Sequence, residues 1–157
     1  EAKRMIRLLD VSAKKLERSA ISSIKRSTYL AQRYALLTSV RGVGAISAMQ
    51  LLSEVPELGT INRRKIAALV GLAPFNHESG IKIGRRSIRG GSILARTAIY
   101  MAAFHGSRIN PALSPLFKRL RKRGKPYRVA LVAVMRKLLV HLNALLSASA
   151  CGKGKKD

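Results

Sequence analysis

The fold is decided by residues 37–48, Leu-Thr-Ser-Val-Arg-Gly-Val-Gly-Ala-Ile-Ser-Ala, in which two glycines one residue apart separate two helical patterns. Glycine reaches positive φ without steric cost, so Gly42 and Gly44 predict a tight turn. Such a turn leaves backbone N–H groups free at the start of the next helix, where they can bind a phosphate without reading base sequence. The pattern resembles a helix-hairpin-helix with Arg41, Gly42 and Gly44 binding phosphate. An ordinary glycine-containing turn between helices is the alternative.

Apolar residues at helical spacing extend in both directions from this turn. Residues 2–39 hold no glycine or proline and predict one long, coiled-coil-like helix, or two helices with a break near Ser27. Further along the chain, Asn62 and Ser92 are predicted N-caps, and a last, strongly apolar helix is predicted over residues 127–146. The helix after Ser92 has a small apolar face that permits close packing, made up of Ala95, Ile99, Ala102 and Ala103.

One segment between these helices has a different composition. Residues 75–88 predict an irregular or hairpin segment with Ser79-Gly80 at its tip. The predicted fold is therefore mainly α: a helical domain containing a helix-hairpin-helix and a short irregular or hairpin insertion, preceded by a long helix. The predicted organisation is the end of a connecting helix or coiled coil over residues 1–36, one domain over residues 37–147, and a disordered basic tail over residues 148–157.

The charge of the chain predicts a polyanionic partner. Its 157 residues include 31 Lys+Arg and 7 Asp+Glu, for a net charge of +24, and no acid occurs from Gly80 to Lys156. Self-repulsion on this scale opposes compactness unless a polyanion such as nucleic acid is bound. The single cysteine excludes a disulfide framework or a zinc knuckle. Arg136, Lys137 and His141 interrupt the most apolar stretch, so no membrane span is predicted.

The residues around Ser79 predict phosphate chemistry. Breaking a phosphodiester bond requires metal ions held by carboxylates, or a covalent nucleophile assisted by cations. The seven acids are scattered along the chain, so no carboxylate-held metal site is predicted. Ser79, beside a glycine at an exposed tip, is the candidate nucleophile. Four cations close behind it are predicted to hold the phosphate and stabilise the transition state: Lys82, Arg85, Arg86 and Arg89.

Alternatives remain for each part of this assignment. Either His77 or Glu78 can act as the base, and alternation in an extended segment favours His77, which then shares a face with Ser79. Ser-Gly is also a common turn dipeptide, so a purely structural Ser79 is possible. A recombinase can use tyrosine instead, but the tyrosines lie in helical patterns without a catalytic spacing, which favours core or surface roles: Tyr29, Tyr34, Tyr100 and Tyr127.

Several motifs occur in an order typical of one protein family. They are Leu37–Gly44, Ala68–Gly80 (ALVGLAPFNHESG), Arg85–Gly91, Ala98–Ala103 (AIYMAA), Lys122–Tyr127 and Ala133–Leu139 (AVMRKLL). Together they cover residues 36–146, and they resemble the C-terminal transposase domain of the IS110/IS116/IS902 insertion-sequence family. In that family the serine of the E-S-G segment joins covalently to DNA. The resemblance therefore implies that Ser79 is the nucleophile of a recombinase with a phosphoserine intermediate.

The resemblance also implies parts that this sequence lacks. Members of the family carry an N-terminal RuvC-like domain, with four acidic residues and a metal ion, joined through a long coiled coil. We therefore expect a C-terminal fragment with no cofactor of its own, the metal ion (magnesium) belonging to the absent RuvC-like domain. The expected partners are DNA, an element-encoded guide RNA and further copies of the full-length protein. The expected location is the bacterial cytoplasm, at the nucleoid.

Two other functions fit the same composition. A non-catalytic helix-hairpin-helix module would bind DNA through residues 37–48 and use Ser79 only as a turn residue. A basic RNA-binding protein of the ribosomal kind would bind structured RNA without any covalent adduct. The aromatic content of 4% disfavours recognition by base stacking.

Overall fold

The computed structural model describes residues 1–75, 78–79, 82–83, 87–88 and 90–151, and the side chains of residues 1–73 and 90–150. The described residues are mainly helical, which confirms the predicted class. The helices are α1 (Ala2–Arg26), α2 (Thr28–Ser39), α3 (Ala45–Glu54), α4 (Arg63–Leu69), α5 (Ile93–Ile109), α6 (Ser114–Lys122) and α7 (Tyr127–Cys151). The strands are β1 (Pro74–Phe75), β2 (Glu78–Ser79), β3 (Lys82–Ile83) and β4 (Ser87–Ile88).

The N-terminal helical pattern is broken at Ser27, so two helices form rather than one. Ser27 has extended backbone angles (φ −95°, ψ 116°), and its hydroxyl accepts a hydrogen bond of 3.4 Å from the N–H of Leu30. This is the geometry of an N-cap, which ends α1 and starts α2. Helix α1 contacts α2 and α3 but has no buried residue. It therefore lies outside the core.

Helix α5 is the centre of the fold and packs against α3, α6 and α7. The predicted small face is confirmed, because its members are almost fully buried. Ala95, Ala98, Ile99, Ala102 and Ala103 are each no more than 1% exposed. Small side chains allow neighbouring backbones to approach closely, and this packing places α3 and α7 on two sides of α5.

The turn between α2 and α3 rests directly on the backbone of α5. Gly42 has a φ of +105°, and a Cβ built on it would lie 2.7 Å from Cα of Gly106 and 2.9 Å from the carbonyl oxygen of Ala102. Gly44, in contrast, has a φ of −84° and is the N-cap of α3. The prediction of positive φ is thus right for Gly42 and wrong for Gly44. Asn110 fixes the turn, since its Nδ2 donates to the carbonyl oxygen of Arg41 at 2.8 Å.

Buried polar side chains hold the loop between α3 and α4. The Arg33 side chain, only 8% exposed, donates through Nη2 to the carbonyl oxygen of Leu58 at 2.6 Å. Asn143 of α7 accepts from the N–H of Gly59 at 2.7 Å and donates to the carbonyl oxygen of Ile61 at 2.8 Å. Both amide atoms of Asn143 are therefore satisfied, as burial requires.

The insertion leaves and re-enters the helical core at one place. Gly71 and Gly91 both have positive φ (+72° and +71°). The two backbone segments pack so closely that a Cβ on either glycine would collide with the backbone of the other segment. The N–H of Ser92 donates to the carbonyl oxygen of Leu69 at 3.3 Å, and Arg96 Nη1 donates to that of Gly90 at 2.8 Å. We call this junction of residues 69–71 with residues 90–92 the clasp.

Beyond the clasp, the described parts of the insertion form two short antiparallel pairs. Strand β1 pairs with β4, with Pro74 opposite Ile88. Strand β2 pairs with β3, with Ser79 opposite Lys82. The two pairs are nested in sequence, and we call them the ribbon. Ser79 and Lys82 form its last pair, separated along the chain by residues 80 and 81.

Helix α7 is longer than predicted, since it continues past Leu146 to Cys151. Residues 152–157 of the predicted disordered tail lie outside the described residues. Among the helices that the structure describes, the part of α7 from Tyr127 to Ala150 alone has the length and apolar composition of a membrane span. Half of its most apolar stretch is buried inside the fold. The buried core helix of a folded domain has the same properties, so this feature is weak evidence for a membrane.

Substitution of Gly42 by alanine is expected to lower the free energy of unfolding by at least about 2 kcal/mol. The positive φ costs an alanine roughly 1–3 kcal/mol, and forcing a methyl group against the α5 backbone costs about 1–3 kcal/mol more. Gly44→Ala is the matched control, because nothing lies within 4 Å of a Cβ built there; alanine caps a helix less well than glycine, so we expect a loss of at most about 1 kcal/mol. Chemical denaturation followed by circular dichroism measures both values, and equal losses would contradict the proposed packing.

Candidate nucleic-acid interface

The ribbon carries the predicted nucleophile beside one of its predicted cations. Ser79 and Lys82 are directly opposite each other in the β2–β3 pair. This register makes the two residues backbone neighbours across the pair. The other predicted members of this site, His77, Arg85, Arg86 and Arg89, lie outside the described residues. Their roles, and that of Ser79, remain predictions.

The second predicted phosphate site, at the start of α3, lines an open cavity of about 350 Å³. Gly42, Gly44 and Ser47 contribute to this cavity, and Gly44 caps α3 without a side-chain hydrogen bond. The N-terminus of a helix carries partial positive charge and unpaired N–H groups, both of which favour an anion. Arg41 is exposed but is not among the residues that line the cavity.

An acid that the sequence did not single out lines the same cavity. Glu17 of α1 is half-buried there, in a helix whose other charged residues are exposed. A carboxylate near a helix N-terminus is stabilised by the same partial charge that attracts a phosphate. A phosphate at the start of α3 would therefore share the cavity with the negative charge of Glu17. Its position depends on the bend at Ser27, which brings α1 back against α3, so no local motif could have revealed it.

A third cationic surface joins two helices that are far apart in sequence. Arg63 and Arg64 begin α4, and Arg136 and Lys137 lie in the middle of α7. These four residues line a groove of about 570 Å³ whose remaining lining residues are Ala133 and Val140. We call it the basic groove.

The basic groove has the chemistry of a phosphate-backbone site. All four of its cations are exposed, and none of the described acids lines it. Asn62 fixes the first turn of α4, because its Oδ1 accepts from the N–H of Arg64 at 3.0 Å and of Lys65 at 2.9 Å. Guanidinium groups on a fixed backbone suit bidentate contacts with phosphate oxygens. Sequence reasoning missed the groove because its two halves are about 70 residues apart.

Histidine, cysteine and acidic side chains do not gather into a group of three or more anywhere in the described part of the chain. The donor set of a transition-metal or carboxylate-held metal site is thus not assembled by these residues.

Comparison with known proteins gives a consistent result. The model of the transposase IS116/IS110/IS902 family matches residues 34–118. The chain is 34% identical over 114 residues to the pilin gene-inverting protein of Moraxella bovis, an alignment that covers 70% of this chain and 35% of that protein. It is 34% identical over 111 residues to the pilin gene-inverting protein of Moraxella lacunata, covering 68% and 34%.

An insertion-element protein gives a similar alignment. The uncharacterized 43.6 kDa protein of insertion element IS110 from Streptomyces coelicolor is 35% identical over 114 residues, which cover 71% of this chain and 28% of that protein. The chain thus spans about a third of the length of the curated relatives it matches. These matches confirm the resemblance that the motifs between residues 36 and 146 predicted.

Removing the charge of Glu17 is expected to tighten binding of nucleic acid. Glu17→Gln should lower the Kd for a fluorescein-labelled DNA duplex about two- to fivefold at fixed salt, the factor that corresponds to a charge–dipole interaction of about 0.3–1 kcal/mol. Glu57→Gln makes the same charge change at an exposed residue that does not line the cavity. Fluorescence anisotropy measures both, and an equal effect of the two substitutions would show that only net charge matters.

Proposed function

The chain belongs to the IS116/IS110/IS902 transposase family, and from this premise we propose that it binds DNA and supplies a serine nucleophile for strand cleavage and rejoining. Transposase and recombinase activity is the function that the family and the pilin gene-inverting relatives support. Because the chain spans about a third of those relatives, we propose the activity for this chain acting together with further protein.

One observation carries the assignment of Ser79. The β2–β3 register places Ser79 opposite Lys82 in the last pair of the ribbon, at its far end from the clasp. A nucleophile for DNA must reach a phosphate on the outside of a duplex, and we propose that the end of the ribbon provides that reach. A lysine as cross-strand neighbour places positive charge beside the phosphate, which stabilises negative charge as the phosphorus becomes five-coordinate.

The proposed reaction proceeds in two balanced steps. Oγ of Ser79 gives its proton to a base and attacks phosphorus; the Oγ–P bond forms while the P–O bond to the departing strand end breaks, and the leaving oxygen takes up a proton. In the second step a strand-end hydroxyl attacks the phosphoserine, which restores the phosphodiester and the free serine. His77 is the proposed base, and the proposed phosphate-binding cations beside Lys82 are Arg85, Arg86 and Arg89.

The duplex itself is proposed to contact two other surfaces. The α2–α3 turn, proposed to act as a helix-hairpin-helix, presents the start of α3 to one phosphate. The four cations of the basic groove hold further phosphates. These contacts are independent of base sequence, as a protein that acts on the DNA backbone requires.

Other parts of the family machinery would come from outside this chain. A magnesium ion is proposed to bind acids of an accompanying RuvC-like domain, since the described residues assemble no such donor set. It would assist the departure of the strand-end oxygen. An element-encoded guide RNA and self-association of the full-length protein are proposed as well, with the bacterial cytoplasm and nucleoid as the place of action.

Replacing the nucleophile is expected to abolish covalent joining to DNA. With the acid-bearing domain supplied in trans and labelled element-end DNA, the wild-type chain should give a covalent adduct on a denaturing gel, and Ser79→Ala should give none. Ser87→Ala is the matched control, since it changes a serine in β4 of the same ribbon. Mass spectrometry of the adduct should identify a phosphoserine at position 79.

Two results would contradict this proposal. An adduct that persists in Ser79→Ala excludes Ser79 as the nucleophile. Tight binding of DNA by the wild-type chain without any adduct favours the non-catalytic DNA-binding module instead.

The basic groove is expected to control the salt dependence of DNA binding. The double substitution Arg64→Gln and Arg136→Gln should reduce the slope of log K against log salt by about two, because each phosphate contact contributes a slope of about one. Lys3→Gln with Lys14→Gln, on α1, makes the same charge change away from the groove. An unchanged slope in the groove variant would show that the groove does not contact phosphate.

A further inference from the structure

A groove between α5 and the first turns of α7 combines aromatic rings with guanidinium groups. Its volume is about 450 Å³, within the range of about 300–1,000 Å³ that is typical of ligand sites. Arg96 and Tyr100 contribute from α5, and Tyr127 and Arg128 from α7, above a floor that includes Leu131 and Met135. We call it the aromatic groove.

Both tyrosine rings contact a phenylalanine ring and are still partly exposed. Tyr127 meets Phe117 edge to face, with ring centroids 5.4 Å apart and an interplanar angle of 79°. Tyr100 stacks with Phe104 at 6.4 Å and 17°. Yet Tyr100 is 42% exposed and Tyr127 is 39% exposed. Rings that are held in place and still open offer a rigid surface on which another flat ring can stack.

The charge of the groove selects among possible flat ligands. Among the residues that the structure describes, two arginines and no acid line it, while Leu131 and Met135 beneath are 1% and 3% exposed. An apolar floor with aromatic walls accepts an unstacked base, and arginines at the rim accept the phosphates on either side. A neutral apolar ligand would leave both guanidinium groups without an anion. The chain is poor in aromatic residues, at 4%, yet two of its four tyrosines meet here.

The groove also lies next to the clasp. Arg96, which lines it, donates to the carbonyl oxygen of Gly90 at the clasp, 2.8 Å away. The basic groove lies elsewhere: at about 100° per residue, its positions 133, 136 and 140 lie roughly opposite positions 128, 131 and 135 on α7. A strand bound beside the clasp can therefore enter the aromatic groove without occupying the phosphate contacts of the basic groove.

We propose that the aromatic groove binds one unpaired nucleotide, with its base stacked on Tyr100 and Tyr127 and its phosphates on Arg96 and Arg128. The proposal rests on the proposed function in that its ligand is the DNA strand presented to the ribbon. Extruding a base next to the scissile phosphate separates that phosphate from the regular duplex. The energy of unstacking is recovered by stacking on the two rings.

The test compares two fluorescently labelled duplexes of equal length, one fully paired and one with a single unpaired 2-aminopurine. We expect the 157-residue chain to bind the second about tenfold more tightly, the effect of about one base–aromatic stack, and to quench the 2-aminopurine fluorescence. Tyr100→Leu should remove the preference and the quenching, whereas Tyr100→Phe, which keeps the ring, should retain both. Circular dichroism confirms that each variant is folded.

The outcomes separate this proposal from the proposed function. Equal affinity for the two duplexes without quenching, together with tight binding of both, overturns the aromatic groove and leaves DNA binding intact. A preference that survives both Tyr100→Leu and Tyr127→Leu also overturns it. Failure to bind either duplex overturns the proposed function as well.

Discussion

The contact between the backbone of Gly42 and the backbone of α5 at Gly106 is the constraint on which the rest of the structure depends. A side chain at Gly42 would push the α2–α3 turn away from α5, because its Cβ would lie 2.7 Å from Cα of Gly106. Because the turn rests there, α3 begins beside α5 and packs along its small face, while α7 packs on another side. The start of α3, where a phosphate is proposed to bind, is thus positioned by a contact between backbones.

The shortage of acids shapes the way in which cations are held. Several described cations donate to backbone carbonyl oxygens rather than to carboxylates, among them Arg33, Arg96, Arg121 and Lys137. A carbonyl oxygen orients a cation and satisfies one of its donors without cancelling its charge. The side chains are therefore ordered while the net charge of +24 stays available to a polyanion.

Local sequence signals predicted the elements well, and contacts between distant residues explain what they missed. Asn62 and Ser92 cap helices as predicted, and the small face of α5 is buried, because capping and periodicity depend on neighbours in sequence. The basic groove and the position of Glu17 depend on which helices meet, which periodicity does not specify. The positive φ expected at Gly44 is absent, because Gly42 alone makes the turn.

Because of the clasp, the two ends of the insertion are held together without help from its short strands. Residues 69–71 and 90–92 bring its two ends together where they join α4 and α5. The loop is therefore closed there, and its closure does not depend on pairing of the ribbon strands. The entropic cost of a longer or shorter loop changes only slowly with its length. The segment between the ends can therefore change in length and composition without moving α4 or α5. The helical domain thus fixes where the ribbon is attached, whatever length the ribbon has.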